Sequence, residues 1–313
     1  MHSIKHKYRG GALLTALFIM TLVAIVATAM SSHLQVDIYR TRLIVNHDRL
    51  YYASQAVAFW AMSELNDPKK KFNMSNNEGV VGRLPKSMSH VYPSVILSGE
   101  LYDLQSRFNL NNLLNRKSFL GFANLVSHVI SDLNGPERIN LAFAINNWIS
   151  TYDLALGTDK YLSYYLKQKP PYHPSHQLMQ SASELRLIKD VNSNTYLALQ
   201  PYITALPETT SLNINTATPK TLLSLGTLDN DKVKQIIEAR GEKGLKDLAK
   251  LEPLLKKLNI AYEQITLEST YFLSVAHATS DNQNFTVYTL LKRSRDKKGK
   301  LSVSILRESI NVF

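Results

Sequence analysis

From Gly11 to Met30 the chain is almost wholly apolar, and after Arg9 no Lys, Arg, Asp or Glu appears until Asp37. About 19 apolar or small residues at about 1.5 Å each span close to ~30 Å, the hydrocarbon thickness of a bilayer. Lys5, Lys7 and Arg9 stand just before the run and no cation stands just after it, so the pattern predicts one membrane-crossing helix with a cytoplasmic N-terminus. The helical pattern then continues. Ser31 to Leu65 contains no proline and no glycine, and Leu34, Ile38, Leu50, Val57, Ala61 and Leu65 read as one apolar stripe with steps of three and four. Asp37, Arg40, Arg42, His47, Asp48 and Arg49 suit a solvated face. Asn66-Asp67-Pro68 ends the run, because proline disfavours the α region at the residue before it. The two stretches are expected to form one helix of roughly 55 residues, on the order of 80 Å long.

Past Pro68 the pattern changes. Residues 69–98 carry Pro85, Pro93, Gly79, Gly82 and an Asn76-Asn77 pair, which reads as a long loop with one or two short strands. Val95 to Leu104 is strand-like and expected at a sheet edge against the stem helix. It runs into Asp103-Leu104-Gln105-Ser106-Arg107-Phe108-Asn109-Leu110-Asn111-Asn112-Leu113, a strand that stops in asparagines suited to capping and turning the backbone. From Ser118 to Leu206 the period is helical. Phe119, Phe122, Leu125, Val126, Val129 and Ile130 form one predicted face; Ile139, Ala142, Phe143, Ile145 and Ile149 form another. Ser181-Ala182-Ser183-Glu184 is a capping box before Leu185. Further on, Thr218 is placed to cap a helix with Pro219 at its first position, and Leu222, Leu223 and Leu225 run to Gly226. A second helix from about Asp231 to Gly241 completes a helix-hairpin-helix pattern. The C-terminus switches to period 2 at Thr270–Ala276, Phe285–Leu291 and Leu301–Leu306, three strands. Arg293 to Lys300 is read as a solvated basic hairpin tip. Such strands need a helix over one face, and Leu50, Val57 and Ala61 of the stem are the candidates.

Composition narrows the function. At 313 residues the chain has room for two or three domains with ordinary cores. Cysteine is absent, which excludes disulfides, thiolate metal sites and lipid acylation on cysteine. The formal charge of +11 falls to +8 without Lys5, Lys7 and Arg9, and the remaining charges are scattered along the chain as on a solvated surface. No G-x-S-x-G, P-loop, H-E-x-x-H or cysteine nucleophile occurs, so an enzyme is not expected.

Two sets of residues resemble known proteins. Arg9-Gly10-Gly11-Ala12-Leu13-Leu14 puts a glycine at the cytoplasmic edge of the apolar run and resembles the leader of type IV pilins and pseudopilins, which prepilin peptidase cuts after glycine. A secretory signal peptide ending near Ala27-Thr28-Ala29 would not need a helix continuing far past the membrane. The Asp103–Leu113 stretch closely resembles the D-L-x-x-R-F-N-L-N-N-L segment of K-type minor pseudopilins of bacterial type II secretion systems. Tyr51-Tyr52-Ala53, Trp148-Ile149, Pro170-Pro171-Tyr172, Ser183-Glu184-Leu185-Arg186, Pro201-Tyr202 and Leu212-Asn213-Ile214-Asn215-Thr216-Ala217 follow in the family's order.

The resemblance implies an α+β, pilin-like fold with a long N-terminal transmembrane helix and an antiparallel C-terminal sheet. It also implies a large inserted all-α region of SAM-like or helix-hairpin-helix modules. The expected division is a leader at 1–10, a transmembrane and stem helix at 11–66 and a pilin-like loop and strand at 67–105. A first inserted α-domain follows at 106–207, a helix-hairpin-helix-like module at 208–262 and the C-terminal strands at 263–313. Cleavage is expected between Gly10 and Gly11, with N-methylation of Gly11. The implied function is that of a minor pseudopilin at the pseudopilus tip, which starts or caps assembly for export of folded proteins across the outer membrane. The body would be periplasmic on a single-pass inner-membrane anchor. Its implied partners are minor pseudopilins of the I and J types, extending to the H type and the major pseudopilin, together with prepilin peptidase.

Most pilins carry a glutamate at the fifth mature position, where it pairs with a neighbour's N-terminal ammonium. Here that position is Thr15, which implies a subunit without a distal neighbour. K-type pseudopilins also bind calcium in the loop that corresponds to Thr151–His176. The acidic positions here are Asp153 and Asp159, while Lys160 replaces a carboxylate. Without a metal, Tyr161, Tyr164, Tyr165 and Tyr172 would hold that loop by packing on helices, and His173 with His176 are too few for zinc. A membrane-anchored helix-hairpin-helix DNA-binding protein of a competence pilus is the alternative. That fold grips phosphate through a G-x-G hairpin, whereas Leu225-Gly226-Thr227-Leu228-Asp229-Asn230-Asp231 has one glycine and two carboxylates, so no nucleic acid is expected. A signal-anchored periplasmic scaffold is the second alternative.

Overall fold

The computed structural model describes residues 11–311 except 77, 153, 154, 156, 158, 281 and 282. Helix α1 runs without a break from Gly11 to Asn66 and stops before Pro68, where the sequence places its end. The described chain continues through β1 (Val80–Arg83) and β2 (Ile96–Asp103) into β3 (Phe108–Asn109). Helices α2 (Phe119–Val129), α3 (Gly135–Ile149), α4 (Leu162–Tyr165) and α5 (Ser193–Leu199) follow, and the chain leaves them through β4 (Ile203–Thr204). Next come β5 (Leu212–Asn213), α6 (Pro219–Leu222), α7 (Asn230–Arg240), α8 (Glu252–Leu258) and β6 (Ile265–Thr266). The last strands are β7 (Tyr271–Ser280), β8 (Gln283–Arg295) and β9 (Leu301–Ile310). The chain divides into two compact units, Met1–Tyr52 and Ala53–Phe313.

In the first unit the apolar side chains do not form the single stripe expected. Leu34 and Leu50 are 16 positions apart, which turns the helix by roughly four and a half turns and sets them on opposite sides. Leu34 is 61% exposed and Leu50 1%. Spacing of seven resolves two rows: Val36, Leu43 and Leu50 on one face, Ile38, Val45 and Tyr52 on the other, the latter with Leu34. A list of steps of three and four merged them because small angular errors accumulate over several turns.

The second unit is built on an antiparallel sheet of order β1-β2-β7-β8-β9. Strand β2 is therefore interior and not an edge strand. The short β1, drawn from a loop-like stretch, pairs with it at Val80–Tyr102 and Arg83–Glu100. Roughly the last three to four turns of α1 cover one face, burying Ala53, Val57, Ala61 and Leu65 and contributing about 1.5–3 kcal/mol for each large aliphatic side chain. Gly99 lets the backbones approach there: a Cβ on it would stand 2.3 Å from Val57 Cγ1. On the other face Tyr271, Leu273, Val275 and Leu290 pack with Leu104 and Leu206.

The three C-terminal strands are longer than predicted, and the expected hairpin tip begins too early. Arg293 belongs to β8 and is buried. Its guanidinium donates from Nε to the Leu65 carbonyl at 2.8 Å and from Nη2 to the Lys70 carbonyl at 3.0 Å and the Asp67 carbonyl at 3.4 Å. It thus satisfies carbonyls left open at the helix end. Only Asp296 to Lys300 forms the turn, closed by the Gly299 N–H to the Asp296 carbonyl.

The helical regions have their own cores. Phe108, Phe122, Leu125, Ile145, Trp148 and Leu199 belong to the first, and Ile214, Leu222, Leu225, Val233, Leu255 and Ile265 to the second. A parallel pair ties the two ends of each stretch: Phe108 with Ile203, and Leu212 with Ile265. The face predicted for α3 is right at Ala142, Ile145 and Ile149, which are buried, and incomplete elsewhere. Leu141, Ala144 and Trp148 are buried, whereas Phe143 is exposed and packs edge-on to Phe119 at 5.0 Å. Several apolar candidates were spaced for a helix, and the neighbour decided which of them turned inward. The Ser181–Glu184 capping box is present, but it opens a 3₁₀ turn at Ala182–Leu187 and not an α-helix.

Candidate functional site

Of the predicted processing residues, Gly10 lies outside the described residues and Gly11 is the first residue of α1. The Thr15 hydroxyl donates to the carbonyls of Gly11 at 3.1 Å and Ala12 at 3.0 Å. Thr21, Thr28 and Ser32 bond back to the helix in the same way, so these hydroxyls meet their own demand inside an apolar span. Among the described residues one helix, Gly11–Asn66, is long and apolar enough to cross a membrane. The two apolar rows of the first unit are separated by Asp37, Arg40, Arg42 and Arg49. A helix apolar on two opposite faces is suited to neighbours on two sides, and seven-residue spacing is what a helix at a shallow left-handed crossing meets.

The asparagine-rich stretch is a structural junction. Buried Asp103 receives hydrogen bonds at Oδ2 from Asn213 Nδ2 (3.0 Å), Thr216 Oγ1 (2.5 Å) and Ser269 Oγ (2.7 Å), and at Oδ1 from the Gln105 N–H (2.8 Å). Burial pushes its carboxyl above the usual range, and these donors pull in the opposite direction without cancelling it. Asn109 and Asn111 bracket the first helical region. Asn109 Nδ2 donates to the Glu208 carbonyl, and Asn111 Nδ2 donates to those of Met179 and Leu206. Asn112 exchanges two bonds with the backbone of Thr210, at 2.8 and 2.9 Å. Sequence spacing showed the caps; it gave no sign of these long-range partners.

Both helices expected between Thr218 and Gly241 are present, the first as a single turn at Pro219–Leu222 and the second at Asn230–Arg240. Thr218 caps α6, Asp229 caps α7 by accepting from the Lys232 N–H, and Gly226 and Gly241 sit at positive φ. The hairpin between them is already occupied. Asn124 of α2 donates to the carbonyls of Leu223 and Leu228, both at 2.8 Å. A Cβ on Gly121 would meet the Ser224 carbonyl oxygen at 2.1 Å. The hairpin packs backbone to backbone on another helix, and the Asp229 carboxylate fills the helix N-terminus where phosphate would bind.

Of the two calcium candidates, Asp153 lies outside the described residues. The Asp159 side chain is buried: its Oδ1 accepts from Asn147 Nδ2 and the Tyr161 N–H, both at 2.9 Å, and its Oδ2 lies 3.2 Å from His176 Nε2. His176 Nδ1 faces the Ser150 carbonyl at 3.0 Å. These groups line a cleft of about 300 Å³, and Asn147 Oδ1 is buried in it without a hydrogen-bond partner. Among the described residues no group of three His, Cys, Asp or Glu side chains is placed to hold a metal. Tyr165 is fully buried against Trp148 and Tyr172, at ring separations of 5.5 and 5.4 Å.

Comparison with known proteins gives one answer. The family model described as type II secretion system (T2SS), protein K, matches residues 106–208. The type II secretion system protein K of Aeromonas hydrophila is 32% identical over 265 residues, covering 76% of this chain and 77% of its own length. That of Klebsiella pneumoniae is 25% identical, covering 93% and 94%. The crystal structure of the GspK-GspI-GspJ complex from the type 2 secretion system of enterotoxigenic Escherichia coli contains a similar fold. The TM-score is 0.69 at 22% identity, over 88% of this chain and all of that one. With more than two thirds of the Aeromonas protein matched, the chain belongs to the family of type II secretion system protein K, the K-type minor pseudopilins.

Proposed function

We propose that this minor pseudopilin sits at the tip of the pseudopilus and starts or caps its assembly for export of folded proteins across the outer membrane. The observation that carries the proposal is Thr15, whose hydroxyl is spent on its own helix and offers nothing to a neighbour's ammonium. A subunit with no distal neighbour has no use for a membrane carboxylate, which is expensive to keep unpaired. The two apolar rows support I- and J-type minor pseudopilins as flanking helices, in keeping with the named components of the similar complex. H-type and major pseudopilins would follow below. Prepilin peptidase would cut between Gly10 and Gly11, and Gly11 would be methylated. The anchor would lie in the inner membrane with its N-terminus cytoplasmic and the body periplasmic.

We take the 106–207 and 208–262 regions as SAM-like or helix-hairpin-helix modules inserted between 67–105 and 263–313 of a pilin-like fold. Their bulk would obstruct a subunit stacked above. Calcium would be held by Asp159 and the unpartnered Asn147 Oδ1, with Asp153. These are hard oxygen donors of the kind it prefers, and it would brace the loop against α3. Thermal melts that coincide in calcium and in chelator would remove that part of the proposal. Site-specific cross-linking from residues 118–206 tests the tip itself. Capture of minor pseudopilins alone is expected; repeated capture of major pseudopilin above this subunit would overturn it.

A further inference from the structure

Three lysine-bearing segments far apart in sequence meet at the end of α1. Arg293 holds the Lys70 carbonyl at 3.0 Å and lies 5.5 Å from the Phe72 ring centre, which fixes the loop carrying Lys69 and Lys71. The same strand, β8, runs on directly into the hairpin with Lys297, Lys298 and Lys300. The third segment arrives at Gly244, whose positive φ of 66° and lack of a Cβ let it abut Asn73; a Cβ there would lie 2.6 Å from the Asn73 carbonyl oxygen. Lys243 and Lys246 flank that contact.

The ion pairs in this region leave the surface positive. Glu64 pairs with Lys70, and Glu268 pairs with Arg295 at 3.7 Å. Asp67, Asp247 and Asp296 accept turn N–H groups from Lys69, Ala249, Lys298 and Lys300, and Glu242 is the remaining carboxylate of these segments. Lys69, Lys71, Lys243 and Lys246 are exposed and form no ion pair with a described residue, and the same holds for Lys297, Lys298 and Lys300. Buried Arg293 thus holds the loop with Lys69 and Lys71 against the strand that leads into the lysine hairpin, and Gly244 sets Lys243 and Lys246 beside the same loop.

We propose that this surface docks the acidic face of a folded protein. Lysines on turns supply mobile point charges, which suit scattered carboxylates better than a planar, bidentate anion site. The hairpin from Ser294 to Lys300 contains no apolar or aromatic residue, so it has neither a wedge for a bilayer nor a platform for bases. Clustered like charge raises the association rate of an oppositely charged protein and makes binding fall with salt.

The test uses the full chain in neutral detergent, with a negatively supercharged fluorescent protein as probe and its uncharged parent as control. The variant Lys69→Gln/Lys71→Gln/Lys297→Gln/Lys298→Gln is compared with Lys117→Gln/Lys160→Gln/Lys167→Gln/Lys169→Gln, which removes equal charge elsewhere. The first should lose about tenfold or more in affinity at ~50 mM salt and show a shallower salt dependence, and the second should change by less than about threefold. Unchanged melting temperatures exclude misfolding, and a Lys→Arg version of the first set should restore binding. Equal loss in both variants would reduce the effect to net charge and overturn the proposal. Stronger binding to vesicles with about 30% phosphatidylglycerol than to the acidic protein would overturn it in favour of a lipid surface.

Discussion

Val57 of α1 and Gly99 of β2 touch where helix meets sheet, and a Cβ on Gly99 would stand 2.3 Å from Val57 Cγ1. The contact sets the distance between the stem and the strands that it covers. Gly99→Ala should destabilise the body by about 1–3 kcal/mol through overpacking. Val57→Ala alone should cost about 2 kcal/mol through the cavity that it leaves. The double variant should be more stable than the sum of the two costs implies, because the missing methyl groups of Val57 make room for the new one. Denaturant midpoints of the four proteins measure the coupling; strict additivity would show that the contact does not set the spacing.

Arg293 should be needed for folding and not for charge. Replacing it with Gln or Ala leaves the carbonyls of Leu65, Asp67 and Lys70 without a cationic donor and should cost about 3 kcal/mol. Lysine should rescue poorly, since one ammonium cannot span the same carbonyls as a guanidinium fork. Thermal unfolding of the three variants checks this, and a surface-like loss under about 0.5 kcal/mol would contradict it.

Asp103 gives a pH signature of known sign. Its carboxyl is raised from the ordinary 3.8 by burial, so the folded state binds the proton more tightly than the unfolded one. The stability due to that proton is complete below 3.8 and is lost as pH rises through the folded value. Asp103→Asn should abolish that part of the pH dependence. Asp103→Ala should cost about 3 kcal/mol at neutral pH by stranding the Asn213, Thr216 and Ser269 donors. Melting curves from acid to neutral pH compare the variants, and identical pH slopes for wild type and Asn would refute the assignment.

Gly121 permits the backbone contact that closes the hairpin. Gly121→Ala puts a methyl group 2.1 Å from the Ser224 carbonyl, which no rotamer can relieve, and should cost about 3 kcal/mol or force the two helical regions apart. Asn124→Ala should be milder, about 1–2 kcal/mol for two carbonyls losing their donor. Limited proteolysis between residues 206 and 230 reports the opening; unchanged cleavage of both variants would mean that the hairpin does not depend on α2.

Processing should follow the glycine at the membrane edge. Intact mass of the membrane-bound protein should correspond to cleavage between Gly10 and Gly11 with a methyl group on the new amine, and a mature chain beginning near Met30 would end the pilin reading. Thr15→Glu should reduce assembly about tenfold or more, because it adds a membrane carboxylate with no ammonium to pair with. Leu34→Asp or Ile38→Asp should weaken co-purification with partner pseudopilins while leaving melting of the body unchanged.

Local pattern determined much of this protein. The apolar run, the absence of proline and glycine from Ser31 to Leu65, and Pro68 fixed α1 to its last residue, because helix continuity and termination depend on near neighbours. Period 2 located β7, β8 and β9, and Thr218 and the Ser181–Glu184 box marked the starts of α6 and of the 3₁₀ turn at Ala182–Leu187 for the same reason. Tertiary structure decided which side of each element turned inward. Leu34 and Leu50 satisfy similar spacing rules, yet one is exposed and the other buried, since burial depends on what stands opposite. Arg293 looked like part of a solvated tip because its sequence neighbours are charged, but the carbonyls that it satisfies come from residues more than 200 positions earlier. Asp103 finds its side-chain donors beyond residue 210. The interior place of β2 depended on β1, too short to show a period. Such partnerships arise from chain closure, and no local pattern of apolar and polar residues encodes them.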